Sequence, residues 1–475
     1  ATDTAPPPRT APPSQTKRSS SKRPSILPHP AFAFATQTNH PDRLSVGSNS
    51  YLKKLANALQ KTTEPPSSHD KDRDVLSAER NDSLVGVSIL TSSLRRTTGV
   101  DVQQNILAGT FASPIESRAI ACMLASAVGD ALGAPNEFAP VIYNDLTRVT
   151  EMIKGGKFNL QPGQRTDDTA QMLCLADSLL VHHHANDSTE ELFDPLDFMV
   201  RLVLWYCHGY NNGLSGYQGE DGRCSFGLGG NTNSAMLQFL LDGSPITTAG
   251  TVNTSGNGSI MRLAPVAVMF WRDAGEAMDV AKQQSFATHQ GVEAAECARL
   301  LTFVCSQAIA GKWTVDATQG GGSETIVQRF LREVCGRFAT TCLSVLALAK
   351  GQQETTDAGQ GRRKWTWRDP DFQYSPVRDG EDDTYRGSYA MEGMVMALHC
   401  VYTTTTLADA LLKAVNIGGD ADSVGSICGQ IAGAVYGLGA IPRAWIKAIQ
   451  VWDNGGDIAL TASLLYNARE VGTLP

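Results

Sequence analysis

No two cysteines in this 475-residue chain are spaced as CxxC, although there are ten of them. Several sit inside apolar helical patterns, as in Ala121-Cys122-Met123-Leu124. That usage reads as reduced, buried thiols of an intracellular protein, and it argues against a disulfide framework or a zinc site. Also missing is any uninterrupted apolar run near the roughly 20 residues that span a bilayer, so no membrane partner is expected. No alternating stretch is long enough to announce a sheet. Positive charge is scarce in the body: residues 1–100 hold 14 Lys and Arg against 8 Asp and Glu, and the remainder holds 26 against 40. Binding along a phosphate backbone needs clustered Lys and Arg, so no nucleic-acid partner is expected either.

Residues 1–45 combine Pro, Ser, Thr, Lys and Arg with almost no acid, as in Lys17-Arg18-Ser19-Ser20-Ser21-Lys22-Arg23. Such a segment buries too little apolar surface to offset chain entropy, and disorder is expected. Its composition also resembles an organellar transit segment, beside the cytoplasm as the expected compartment. Residues 46–115 are mixed, with one short amphipathic candidate over Tyr51 to Leu59. Residues 1–115 therefore read as a poorly structured extension, and 116–475 as the body.

In the body, apolar residues recur at helical spacing, first at Ala119, Ile120, Met123, Leu124 and Ala127. Similar stripes run through Met172 to Leu180, Leu196 to Cys207, Met261 to Trp271, Ala294 to Ala308, Met391 to Val401, Leu407 to Val415, Val424 to Val435 and Ile458 to Leu465. The pattern predicts an all-α fold, a single compact multi-helix domain. Two polar segments interrupt it, near 312–323 and 350–383. The second carries Trp365 and Trp367 beside a basic run. Its acidic end, Asp379 to Asp383, favours an ordinary surface insertion over a nucleic-acid-binding loop.

Two acidic clusters about 250 residues apart carry the chemistry: Arg165-Thr166-Asp167-Asp168-Thr169 and Gly418-Gly419-Asp420-Ala421-Asp422-Ser423. Each opens a helix-like segment, and a capping role explains either one alone. Together they offer four carboxylates and two hydroxyls, which repel one another unless a hard, oxygen-seeking cation compensates them. The absence of nearby Cys or His argues against zinc. A two-metal site of this kind suits metal-assisted hydrolysis. Three polar, glycine-rich loops accompany the clusters: Gly129 to Glu137, Ser225 to Thr232 and Thr254 to Ser259. The second precedes a helix, where backbone N–H groups can cradle a phosphate, although a plain helix entry reads as well.

Taken in order, Gly129-Asp130-Ala131-Leu132-Gly133 with Glu137, Thr166-Asp167-Asp168-Thr169, Gly256-Asn257-Gly258 with Met261-Arg262, Thr288-His289 and Asn416 to Ser423 resemble the ADP-ribosylglycohydrolase family. The resemblance implies an all-α fold with two magnesium ions in a central cleft, manganese being the alternative, and cleavage of the bond between an ADP-ribosyl anomeric carbon and an acceptor. It implies metal ligation by Thr166, Asp167, Asp168, Asp420, Asp422 and Ser423, and catalytic roles for Glu137, Asp167 and Asp168. It further implies substrate contacts from Glu137, Phe226, Gly227, Gly229, Thr254, Ser255, Gly256, Asn257, Gly258, His289, Ser388 and Tyr389. The implied partner is ADP-ribose or an ADP-ribosylated protein or small molecule, bound by a monomer. Ser423 stands where many relatives have Thr, and Gly227 where nitrogenase-regulating members carry Asp. The rival readings are a non-catalytic, crystallin-like or ADP-ribose-binding member and a metal-dependent phosphohydrolase. Degenerate members should lose the costly buried carboxylates, and this chain keeps all four.

Overall fold

The computed structural model describes residues 113–469 apart from 144–146, 186–190, 214–224, 249–254, 313–323, 357–358, 374–384 and 454–455. Residues 1–112 of the extension expected over 1–115, the candidate helix over Tyr51 to Leu59, the polar segment 313–323 and the acidic run Asp379 to Asp383 lie outside the described residues.

The fold is all-α. In chain order the helices are α1 (Pro114–Gly133), α2 (Asp167–Ala185), α3 (Pro195–His208), α4 (Gly230–Asp242), α5 (Ala264–Met269), α6 (Ala274–Thr288), α7 (Val292–Ile309), α8 (Ile326–Arg337) and α9 (Leu343–Lys350). After a two-stranded hairpin, β1 (Gln353–Thr356) and β2 (Gly359–Lys364), come α10 (Ala390–Tyr402), α11 (Leu407–Asn416), α12 (Ala421–Tyr436), α13 (Arg443–Val451) and α14 (Asp457–Ala468).

Two helices form the centre. Every residue from Ala119 to Gly133 of α1 and from Ala421 to Val435 of α12 is buried. A helix without a polar face has no place at a surface. The two lie unusually close because glycine faces backbone at each turn: a Cβ on Gly425 would stand 2.5 Å from the carbonyl oxygen of Gly129, and one on Gly429 would stand 2.0 Å from that of Ala125. At the same seam the hydroxyls of Ser126 and Ser426 are 2.8 Å apart, so buried polar groups are paired rather than stranded. Helices α7, α10 and α11 pack on the α12 side, and α5 and α14 on the α1 side.

Local sequence explains the ends. Ser113 caps α1, accepting from the Ile115 N–H at 3.2 Å, and Pro114 fills a position with no intrahelical donor to lose. Thr325 and Gln328 form a reciprocal capping box on α8.

Two expectations need correction. The helix expected over Met261 to Trp271 is only Ala264–Met269. The carbonyls of Ile260 and Met261 accept from the Gln430 side chain at 3.0 and 2.7 Å, and Ser426 also donates to Met261. Those carbonyls tie the loop to α12 instead of starting a helix. The segment 350–383 is not simply surface: Trp365 and Trp367 are fully buried. Their ring N–H groups donate to Glu354 and to the Leu348 carbonyl, and Trp367 meets Tyr402 edge to face. An indole is buried this way when its one donor finds a partner. Among the described residues no helix is long and apolar enough to cross a membrane.

Candidate active site

The close pairing of α1 and α12 brings the two acidic clusters together. Asp130, near the end of α1, is fully buried under the entry to α2. Its Oδ1 accepts from the Thr166 N–H and hydroxyl, both at 2.9 Å, and its Oδ2 accepts from the Thr169 N–H at 3.1 Å and hydroxyl at 2.6 Å. A carboxylate at a helix N-terminus satisfies free N–H groups and complements the dipole. Asp130 was quoted in the sequence motif but not singled out as a site residue. The available signal was an acid inside an otherwise apolar helical run.

Across the seam, Gly418 and Gly419 adopt left-handed φ of 84° and 65°, which lets the chain turn sharply into α12. Asp420 occupies the N-cap position and Asp422 the first turn. Two acids separated by one residue thus face one centre because the first lies outside the helix.

Three aspartates crowd a single hydroxyl: Thr166 Oγ1 lies 2.9 Å from Asp130 Oδ1, 3.2 Å from Asp422 Oδ2 and 3.4 Å from Asp168 Oδ2. One proton cannot serve all three. Ser423 Oγ is also 3.4 Å from Asp168 Oδ2. Glu137 closes the cluster, with carboxylate oxygens of Glu137, Asp420 and Asp422 within 4.8 Å of one another. Asp168 Oδ1 and Glu137 Oε2 are buried with no hydrogen-bond partner among the described residues.

Burial is the main cause that raises these carboxyls, with mutual repulsion adding to it. Asp422 is pushed up to about 8, and Glu137 up to about 11 with Asp422, Asp420 and Asp167 against it. Asp167 and Asp168 rise well above the usual carboxylate range. Orphaned carboxylate oxygens, two hydroxyls and no thiol or imidazole in the cluster fit a hard divalent cation bound through oxygen.

The cluster lies in a cleft of about 850 Å³. Asp167, Asp168, Glu137, Asp420, Asp422 and Ser423 line it, as do Phe226, Gly227, Gly229, Gly256, Asn257, Gly258, His289, Ser388 and Tyr389. Thr166 and Ser255 do not; both are fully buried, and the Ser255 carbonyl accepts from the Ala390 N–H at 2.9 Å. Thr254 lies outside the described residues.

Two glycine loops line the wall, the second against Asn231 and Thr232 just after the first. Gly227 has φ of 80°, and a Cβ there would stand 2.2 Å from Asp167 Oδ1, so this loop rides directly on a candidate metal ligand. A Cβ on Gly229 would meet nothing within 4 Å. The 255–257 segment pairs with 388–390, the Asn257 N–H donating to the Ser388 carbonyl at 2.8 Å. The Asn257 amide donates to Asp420 Oδ2 at 2.8 Å and to the Gly387 carbonyl at 2.9 Å, so it orients an acid of the cluster.

The sequence pattern did not single out the mouth of the cleft. Phe138 and Tyr385 stack with centroids 5.4 Å apart, and the Lys157 ammonium sits 4.2 Å from the Phe138 ring centre. The Tyr385 hydroxyl bonds Asp420. Phe138 holds φ of 66°, costly for a bulky residue, where its N–H donates to the Gly419 carbonyl at 2.8 Å.

The model of the ADP-ribosylglycohydrolase family matches residues 112–473. The chain is 30% identical over 353 residues to the ADP-ribosylarginine hydrolase Tri1 of Serratia proteamaculans, covering 74% of this chain and 80% of that protein. It is 24% identical to the ADP-ribosyl-[dinitrogen reductase] glycohydrolase of Rhodospirillum rubrum, covering 71% of this chain and 92% of that one. A solved ADP-ribosylglycohydrolase-related protein complex contains a chain that aligns with a TM-score of 0.52 and 28% identity, over 74% of this chain and 99% of that one. A helical core that joins two acidic clusters across a glycine seam, together with a family match spanning the described body, places this chain in the ADP-ribosylglycohydrolase family.

Proposed function

We propose that this protein is a magnesium-dependent hydrolase that removes ADP-ribosyl groups from arginine side chains. The observation that carries the reading is the shared Thr166 hydroxyl, with three aspartates around one proton beside the unpaired oxygens of Asp168 and Glu137. Such a cluster persists only if something else compensates it. Arginine as acceptor is supported by the names of two relatives, the Tri1 proteins of Serratia proteamaculans and Pseudomonas putida, the latter 28% identical over 363 residues.

In this reading two magnesium ions are held by Thr166, Asp167, Asp168, Asp420, Asp422 and Ser423. When bound, they supply Lewis acidity toward the sugar hydroxyls and neutralise the carboxylates. Asp130 holds the 166–169 segment in place, and Asn257 and Tyr385 hold Asp420. The Gly227 to Gly229 loop, ending at the first turn of α4, presents backbone N–H groups to the diphosphate. Bond cleavage transfers the electron pair of the anomeric C–N bond to the guanidine nitrogen, while the ring oxygen and the surrounding acids stabilise the cationic sugar. A water oxygen then bonds to the anomeric carbon. Asp168 or Glu137, each with an oxygen unclaimed by the protein, takes the water proton, and that proton passes on to the departing guanidine.

Incubation with arginine- and serine-linked ADP-ribosyl peptides, with and without magnesium, followed by mass spectrometry, tests this. Magnesium-dependent release from the arginine peptide supports it. Release from serine alone overturns the acceptor, and turnover that survives exhaustive chelation overturns the metal requirement. Binding of ADP-ribose without turnover would favour the non-catalytic reading.

A further inference from the structure

A chain of buried side chains runs from Asp167 to His289 through residues the proposed reaction does not use. Gln171 donates through Nε2 to Asp167 Oδ2 at 2.9 Å and accepts through Oε1 from Arg262 Nη1 at 2.8 Å. Arg262 also donates to Gln284 Oε1 at 3.1 Å and, through Nη2, to Thr288 Oγ1 at 2.7 Å. Thr288 Oγ1 is in turn 2.7 Å from His289 Nδ1. The guanidinium is fully buried, lies 4.9 Å from the Phe198 ring centre and, among the described residues, donates to neutral acceptors only. A buried cation without a directly bonded carboxylate is expensive, so its retention calls for a use.

A guanidinium only donates, which fixes the direction of every bond around it. Gln171 must turn its oxygen to Arg262 and its NH₂ to Asp167. Thr288 accepts from Arg262 and keeps one proton to give, and Nδ1 of His289 is the acceptor it reaches among the described residues. With Thr288 spending that proton on the ring, Nδ1 carries no proton and Nε2 does. That edge of the ring is kept clear by glycine: a Cβ on Gly256 would lie 3.4 Å from Nε2, and one on Gly258 would lie 3.1 Å from it. His289, Gly256 and Gly258 all line the cleft.

We infer that Arg262 is a positioning residue that sets hydrogen-bond polarity at two separated points. At one end it aims the Gln171 amide at the candidate metal ligand Asp167. At the other it locks His289 as the Nε2–H tautomer, a neutral donor facing the cleft and suited to an oxygen acceptor on the ligand. Only the identity of that ligand rests on the proposed hydrolase reading; the tautomer does not.

The test is ¹⁵N NMR of the histidine rings in the full-length protein, with His289 assigned by substitution. The expected result is an Nε2–H pattern for His289 in the parent that becomes a mixture of tautomers in Thr288→Val. In kinetics on arginine-linked ADP-ribosyl peptide, Thr288→Val raises KM by about tenfold and leaves the magnesium-induced rise in melting temperature as in the parent. Arg262→Lys, which cannot reach all its acceptors, disturbs the tautomer and weakens magnesium binding about tenfold. An Nδ1–H pattern in the parent, or an unchanged pattern in Thr288→Val, overturns the assignment. An Arg262→Lys protein with parental tautomer and magnesium affinity overturns the coupling. Should Arg262→Lys fail to fold, Thr288→Val still decides the tautomer. Because NMR reads the ring without turnover, an inactive protein with a locked Nε2–H tautomer would refute the hydrolase reading and leave this one standing.

Discussion

Thr166 Oγ1 and Asp422 Oδ2, 256 residues apart in sequence, are 3.2 Å apart in space, and this contact joins the two halves of the acidic centre. It depends on Asp130 below, which orients Thr166, and on the turn at Gly418 and Gly419, which delivers Asp422.

Replacing an acid of this cluster should separate stability from activity. Asp422→Asn or Asp168→Asn is expected to lower hydrolysis by at least about 100-fold. Each removes repulsion from a buried cluster, so the metal-free melting temperature should hold or rise while the magnesium-induced increase is lost. Fluorimetry with and without magnesium checks this, and a metal-free variant that unfolds well below the parent would contradict it.

The glycine loop offers two contrasting substitutions. Gly229→Val places its side chain in open space and leaves α4 and the acids alone, yet it should obstruct a diphosphate approaching the backbone. Calorimetry should show strongly weakened ADP-ribose binding with unchanged magnesium binding. Gly227→Ala should weaken both, since its Cβ would collide with Asp167. Parental ADP-ribose affinity in Gly229→Val would reduce the loop to a helix entry.

The seam between α1 and α12 should be intolerant far from any ligand. Gly429→Ala sets a methyl group against the Ala125 carbonyl, and forcing the helices apart is expected to cost about 1–3 kcal/mol. The second acidic cluster opens α12, and Asp130 of α1 holds Thr166 of the first, so magnesium affinity should fall as well. Denaturant titration and magnesium titration check the pair; a variant that loses neither would show that the helices yield easily.

Acid sensitivity should come partly from His399. Burial, with Lys413 adding to it, lowers this ring to about 4, and its Nδ1 bonds the Trp367 carbonyl at 2.9 Å. The unfolded chain takes up the proton near pH ~6.5, while the folded one resists until about 4, so stability present at neutral pH is lost as pH falls through that window. The loss amounts to about 3 kcal/mol at most. His399→Gln should flatten the decline between pH 6.5 and 4 in denaturant melts; an unchanged slope would assign it to other groups.

Much of the chemistry was legible in the chain. The residue types at 166–169 and 420–423 limited the centre to oxygen donors, and helical periodicity over stretches such as Val424 to Val435 gave the fold class, because both are properties of local sequence. Other features were not. Asp130, Gln171 and Tyr385 look like ordinary helix or loop residues until their partners are known. Trp365 and Trp367 sit in a polar run that reads as surface, yet both indoles are core.

The sequence by itself determined which groups exist and where helices begin: acids beside glycine turns, apolar stripes, and glycines four residues apart at 425, 429 and 433. Tertiary structure alone decided that those glycines meet the backbone of α1, that one hydroxyl is shared by three aspartates, and that a buried arginine bonds both Gln171 beside Asp167 and Thr288 beside His289. Spacing along a chain records local geometry, whereas hydrogen-bond partners and repulsion between distant charges arise only once packing has fixed which surfaces touch.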